Sequence, residues 1–244
     1  MAHASLAARA SGRVLSRQPA VRVFDHLLTP AECARLRRLA AGHMAACEVR
    51  DSPRLRHRRS STGCWLPRSD AAASAWRTLR PDPPDAALLA AIEAWVAAAC
   101  GLPRGHGEPA QVLRYRAGEL YALHPDFFDA RDADELANGG QRRFTCLVYL
   151  STVPHGAGGA THFPFAAESG ERGLRIQPVA GRAVLFENCR RDGRVEPRSV
   201  HAGETVKRRV DPSTGNLVEK WVLTKWMREA NFEVREDAGF GSVW

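Results

Sequence analysis

The chain has no Cys-x-x-Cys pair, no long apolar run and, in its first twenty residues, no acid. Its cysteines, Cys33, Cys47, Cys64, Cys100, Cys146 and Cys189, stand at long, irregular intervals. That excludes a small disulfide scaffold and matches no zinc module, and reduced thiols in a cytoplasmic setting are the expectation. No apolar stretch approaches the ~20 residues of a membrane span, so no membrane partner is expected. Residues 1–20 are rich in Ala, Ser and Arg, a composition shared with organellar transit peptides, which would direct import. The plainer expectation for them is a disordered N-terminus. A secretory apolar segment is excluded there, because Arg9, Arg13 and Arg17 break the apolar residues.

What is present is ordinary for a globular protein: 244 residues, 44% hydrophobic and 25% charged. The formal charge of +8 permits attraction to acidic partners but does not show it, and the arginines are spread out, so nucleic acid is not an expected partner. A strand is predicted from Val21. Thr29-Pro30-Ala31-Glu32 reads as a capping box with proline at the first helical position. The run Arg50, Arg54, Arg56, His57, Arg58 and Arg59 is expected to be a solvated loop. A second helix is predicted from about Asp85, as its cap, to Cys100, with Leu88, Ile92, Trp95 and Val96 as its apolar stripe. Short strands then follow at Gln111–Tyr115, Tyr121–Asp126, Arg143–Leu150, Ala160–Pro164, Leu174–Pro178, Ala183–Glu187, Ser199–His201 and Trp221–Met227. Helices first and strands afterwards predict an α+β fold, a jelly-roll core with the N-terminal helices packed on one face. With no internal repeat or low-complexity linker, one domain is expected over 21–230, its catalytic core about 108–230, followed by a tail at 231–244.

The candidate chemistry centres on His124 and Asp126. On an extended segment residues i and i+2 share a face, so an imidazole and a carboxylate lie side by side. A second histidine on another strand would complete a two-His, one-carboxylate site of the kind that suits Fe(II), and His201 is the candidate. Such an ion keeps three open positions, two for 2-oxoglutarate and one for O2. The far carboxylate of 2-oxoglutarate, once buried, needs a cation. Lys220 is the candidate cation; strand parity puts it on one face with Val222, Thr224 and Trp226 and Lys225 on the other, so if Lys220 points inward, Lys225 does not. Tyr149, alternating with Thr145 and Leu147, and Tyr115 are candidate donors to the cosubstrate.

Several ordered blocks resemble the prolyl 4-hydroxylase branch of the Fe(II)/2-oxoglutarate dioxygenases. They include Val112-Leu-Arg-Tyr115-x-x-Gly118-x-x-Tyr121-x-x-His124-x-Asp126, Gly139-Gly-Gln-Arg142-Arg-Phe-Thr145-Cys-Leu-Val-Tyr149, Ser199-Val-His201-Ala-Gly203 and Lys220-Trp-Val-Leu-Thr-Lys-Trp226. The likeness runs over roughly residues 21–230. It implies a double-stranded β-helix with His124, Asp126 and His201 as iron ligands. Lys220, Tyr149 and Tyr115 would hold 2-oxoglutarate, and Thr145 and Trp226 would wall the pocket. It further implies ascorbate as the agent that rescues oxidised iron, and a proline-containing peptide or protein as substrate.

Three features depart from the pattern. A long insertion over 207–219 separates His201 from Lys220 and reads as a hairpin turning at Asp211-Pro-Ser-Thr-Gly-Asn216. Ala160 replaces a common acid, and His162 stands where an apolar residue is usual, as a rival ligand outside the triad spacing. Asp129, Asp132, Asp134 and Glu135 are expected on a solvated, mobile lid. Two other functions stay open at this point: nucleic-acid demethylation by the same chemistry, and a catalytically inert barrel acting as a binding module.

Overall fold

The computed structural model describes residues 6–47, 59–69, 79, 81–166, 173–212 and 214–234. The chain opens with a short helix, α1 (Leu6–Arg9), and an antiparallel strand pair, β1 (Ser11–Arg17) and β2 (Ala20–Asp25). Order therefore starts before Val21, and the expected disorder of 1–20 does not hold for residues 6–20. The strand β1 carries no apolar stripe, since only Ser16 is buried in it. It is held by its backbone ladder to β2, which leaves no hydrophobic period to read.

Helix α2 (Pro30–Ala41) begins as its sequence dictates. Thr29 Oγ1 accepts from the Glu32 N–H at 3.2 Å, and the Glu32 carboxylate accepts from the Thr29 N–H at 2.7 Å. Two donors that the helix cannot satisfy internally are thereby met. Thr29→Ala is expected to cost about 1 kcal/mol, read as a lower urea midpoint at unchanged slope. An unmoved midpoint would show that the box contributes nothing.

A two-residue strand, β3 (Ala45–Ala46), pairs with β4 (Thr62–Leu66). Between them the arginine-rich run over 50–58 lies outside the described residues. Its last member, Arg59, is not solvated: its guanidinium lies 4.6 Å over the ring of Tyr121 and contacts Gln111. Helix α3 (Pro83–Cys100) starts one turn earlier than expected. Its cap is Asp82, whose carboxylate accepts from the Asp85 N–H at 2.8 Å, while Pro83 and Pro84 fill the first positions, where no N–H is needed. By length and composition α3 is apolar enough to cross a membrane. Here Leu88, Ile92, Trp95 and Val96 are core, and its buried acid Glu93 pairs with Lys225 at 3.1 Å.

The remaining strands are β5 (Ala110–Tyr115), β6 (Tyr121–His124), β7 (Arg142–Tyr149), β8 (Thr161–Phe163), β9 (Leu174–Ile176), β10 (Ala183–Glu187), β11 (His201–Gly203) and β12 (Lys220–Arg228), with a five-residue helix, α4 (Ala133–Ala137), after β6. They form two antiparallel sheets. The major one is ordered β1-β2-β10-β7-β12-β5-β4-β3 and the minor one β6-β11-β8-β9. One face of the major sheet carries α2 and α3, through Cys33, Leu36, Ile92 and Trp95 against Val112, Val148, Leu185 and Leu223. The other faces the minor sheet, where Leu113, Tyr115, Phe163, Phe186 and Val222 form a second core. This is the expected jelly-roll core with helices on one face.

All nine residues of β12 are buried because the strand lies between these two cores. Its period of two decides what each core receives. Trp221, Leu223 and Lys225 turn to the helices, and Lys220, Val222 and Thr224 turn inward. The 207–219 insertion is a hairpin: Val210 bridges Leu217, and Gly215, at φ 70°, closes its turn onto Asp211. The predicted strand Ser199–His201 is corrected. Pro197–Ser199 is a 3-10 turn, and His201 starts β11 rather than ending a strand.

Candidate active site

His124 ends β6 and His201 begins β11, and the two are paired across the ladder. Asp126 follows two residues after His124. Among the described residues these three form the group able to hold a metal, with their ligand atoms within 4.8 Å of one another. Asp126 Oδ1 lies 3.7 Å from His124 Nε2, and Oδ2 lies 3.8 Å from His201 Nε2. The two ring orientations have one cause. His124 Nδ1 lies 2.8 Å from the Ala122 carbonyl, and His201 Nδ1 lies 3.0 Å from the Ser199 carbonyl. A carbonyl only accepts, so each Nδ1 carries the hydrogen and each Nε2 presents its lone pair to the shared space.

Packing holds the rings further. Tyr121 stacks on His124 with centroids 3.4 Å apart, and Phe186 meets His201 edge-on at 4.8 Å. Burial, followed by the neighbouring His201, pushes the His124 pKa down to about 3, so this imidazole is neutral and free to ligate at ordinary pH. Burial alone would raise Asp126; His201, His124, Arg142 and the Thr145 hydroxyl outweigh it and hold the carboxyl below its usual range. Two imidazole nitrogens and an ionised carboxylate fit the donor set of a divalent iron site.

The three groups open into a cavity of about 220 Å³, lined also by Tyr115, Lys220, Arg142 and Trp226. Lys220 is 3% exposed, opposite Tyr115 in the ladder, with Nζ 5.2 Å over the Tyr115 ring. Burial pushes its amine down to about 7, against a weak pull from Glu204. Among the described residues no salt bridge reaches it. A buried, unneutralised amine in a cavity fits an anionic ligand.

Two expected site residues do not themselves line the cavity, although the Tyr149 ring lies 5.8 Å from Lys220 Nζ. Tyr149 is wholly buried behind Thr161, its hydroxyl 2.7 Å from Thr161 Oγ1, and it is Thr161 that lines the cavity. Thr145, expected as pocket wall, is fully buried and donates to Asp126 Oδ2 at 2.7 Å. Trp226 does line the cavity, with Arg142 lying 4.1 Å over its ring. His162 points away from the triad, as the residue between inward Thr161 and Phe163 must, and lies 3.8 Å from Glu204.

Sequence reading also missed a buried charge chain. Glu108 receives two hydrogen bonds of 2.7 Å from Arg142 and one of 2.5 Å from Arg228, which in turn reaches Glu135 at 3.2 Å. Glu135 is thus no part of a solvated lid. It is 3% exposed and ties α4 to the end of β12. No local pattern links positions 108, 135, 142 and 228, which the fold alone brings together.

Comparison with known proteins follows the same lines. The model of the 2OG-Fe(II) oxygenase superfamily matches residues 110–228. Probable prolyl 4-hydroxylase 3 of Arabidopsis thaliana is 34% identical over 238 residues, covering 91% of this chain and 73% of that one. Prolyl 4-hydroxylase 1 of the same plant is 33% identical over 223 residues, covering 88% and 71%. The fold resembles that of a viral collagen prolyl hydroxylase from Paramecium Bursaria Chlorella virus-1 in its 2OG complex, at TM-score 0.59 and 22% identity over 85% of this chain and 95% of that one. By these relatives, and by a histidine–aspartate–histidine cluster that opens onto a buried lysine, the chain belongs to the 2OG-Fe(II) oxygenase superfamily as a prolyl 4-hydroxylase-like, 2-oxoglutarate-dependent dioxygenase.

Proposed function

We propose that this enzyme hydroxylates prolyl residues of a peptide or protein, with Fe(II) held by His124, Asp126 and His201 and 2-oxoglutarate anchored by Lys220. The observation that carries this reading is one cavity lined by two sets of groups: three convergent ligand atoms, and a desolvated lysine amine that no salt bridge reaches among the described residues. Iron with 2-oxoglutarate and O2 supplies oxidising power, releasing succinate and CO2 while one oxygen atom enters a substrate C–H bond, and ascorbate keeps the metal reduced.

The chain's own residues do the positioning. Ala122 and Ser199 fix the tautomers of the two histidines through their carbonyls. Lys220 meets the far carboxylate of the cosubstrate, with Tyr115 beside it. Tyr149 backs that end of the cavity through Thr161. Arg142, held by Glu108, covers Trp226 at the wall. The relatives named above are prolyl hydroxylases, which favours a proline-containing substrate over the nucleic-acid reading.

The test is succinate release by anaerobically iron-loaded protein supplied with ascorbate, with and without a panel of proline-rich peptides. Peptide-stimulated turnover with hydroxyproline in the product is the expected result. Turnover that no proline-containing peptide or protein raises would overturn the prolyl reading and leave the dioxygenase chemistry standing.

A further inference from the structure

We propose that Asn188 is a positioning residue for the metal site, acting through Thr145 to set the orientation of the Asp126 carboxylate. The inference rests on Asp126 being an iron ligand. Thr145 Oγ1 lies 2.7 Å from Asp126 Oδ2, and Asn188 Nδ2 lies 2.8 Å from Thr145 Oγ1. Both Thr145 and Asn188 are fully buried, and Asp126 is nearly so.

The direction of each hydrogen bond follows from counting hydrogens. A ligating carboxylate is ionised and only accepts. The single hydroxyl hydrogen of Thr145 therefore lies toward Asp126. Thr145 has no hydrogen left for Asn188, so the second contact must be donated by the Asn188 amide. Turned over, Asn188 would face the Thr145 oxygen with its own oxygen, and no hydrogen would lie between them. The required orientation leaves Asn188 Oδ1 with nothing to accept from, and that atom is a buried oxygen without a partner among the described residues. An orphaned acceptor is costly. It is tolerated here because the amide's other end completes the chain of donors.

The anchor of this chain is firm. The Asn188 N–H donates to the Arg143 carbonyl at 2.8 Å, and its carbonyl accepts from the Glu196 N–H at 2.7 Å. Asn188 thus ties the end of β10 to β7, which carries Thr145, and through Thr145 to Asp126, which follows β6 in the other sheet. Oδ2 is engaged by the hydroxyl, and Oδ1, 3.7 Å from His124 Nε2, is left as the free ligand atom. A carboxylate without this tether can rotate about its last bond, and each rotation away from the two Nε2 atoms weakens metal capture.

The test is metal affinity of the full chain, by anaerobic Fe(II) titration and by the visible absorption of bound Co(II), alongside thermal unfolding. Asn188→Leu and Thr145→Val are each expected to weaken binding about 10- to 100-fold, the effect typical of a lost outer partner. Thr145→Ser, which keeps the hydroxyl, should stay within about threefold of the parent, and the double variant Asn188→Leu/Thr145→Val should be no worse than the weaker single one, because both break one chain. A merely structural role would lower the unfolding temperature and leave the affinity of the folded protein unchanged. Parental affinity in Asn188→Leu, effects that multiply in the double variant, or a Thr145→Ser as weak as Thr145→Val would each overturn the proposal. If Asn188→Leu does not fold, Asn188→Ala removes the donor without added bulk and is judged by the same readings. Failure of the parent protein to bind either metal would instead overturn the iron reading, before any variant is compared.

Discussion

Replacing His201 with alanine is expected to abolish both Fe(II) binding and succinate release while leaving the fold intact. The ring contributes one of three ligand atoms gathered within 4.8 Å, and it sits at the start of β11 rather than in the middle of a packed strand. A site reduced to His124 and Asp126 keeps too few donors to retain a divalent iron against water. The loss should exceed the roughly 10- to 100-fold that removal of an outer partner costs. Asp126→Ala should behave alike, with the further consequence that the Thr145 hydroxyl loses its acceptor. Anaerobic titration and circular dichroism check the pair of claims together. A folded His201→Ala protein that still binds Fe(II) with parental affinity would exclude His201 as a ligand.

Lys220→Met should raise the KM for 2-oxoglutarate by about one and a half to three and a half orders of magnitude. Removing one partner of a buried charge pair costs roughly 2–5 kcal/mol, and about 1.4 kcal/mol is tenfold. The same substitution should make the cosubstrate-free protein more stable at neutral pH, because a methionine of similar shape carries no amine to desolvate. The sign of the pH dependence follows from the depressed pKa. The unfolded chain holds the Lys220 proton up to 10.5 and the folded one only to about 7. Between those values the unfolded state binds more protons, so stability rises with pH across that window and the full penalty applies below it. A carboxylate bound beside Nζ restores the charge. Binding of 2-oxoglutarate within the window should therefore take up close to one proton, seen as a calorimetric heat that depends on the buffer's ionisation enthalpy. Lys220→Met should show no such uptake. Equal heats in all buffers for the parent protein would mean that Lys220 is not the anchor.

These two residues also show how far the linear sequence reaches. The spacing of His124 and Asp126 puts both side chains on one side of an extended segment. The alternation of β12 sends Lys220 inward and Lys225 to Glu93 on α3. A strand's period of two is a local property, so the parity of each strand could be read before any contact was known. The Thr29 capping box is equally local and forms as written. Strand β1 is the opposite case. Its side chains carry no apolar alternation, and it is ordered by backbone pairing with β2, which no periodicity records.

At the site the division is sharper. Residue types and strand parity made His124, Asp126, His201 and Lys220 candidates, and the resemblance of the ordered blocks joined them as the groups of one chemistry. They could not place Tyr149 behind Thr161, turn Thr145 from the cavity to the Asp126 carboxylate, or bring Asn188 up beside it. Nor could they withdraw Glu135 from solvent into the charge chain of Arg228, Glu108 and Arg142. By itself the sequence determined which side chains share a face along a patterned strand such as β12 and where α2 starts, because both depend on neighbours a few positions away. Only the tertiary structure decided which buried polar groups satisfy one another, because that depends on register and on the packing of two sheets, which join residues as far apart as 108 and 228.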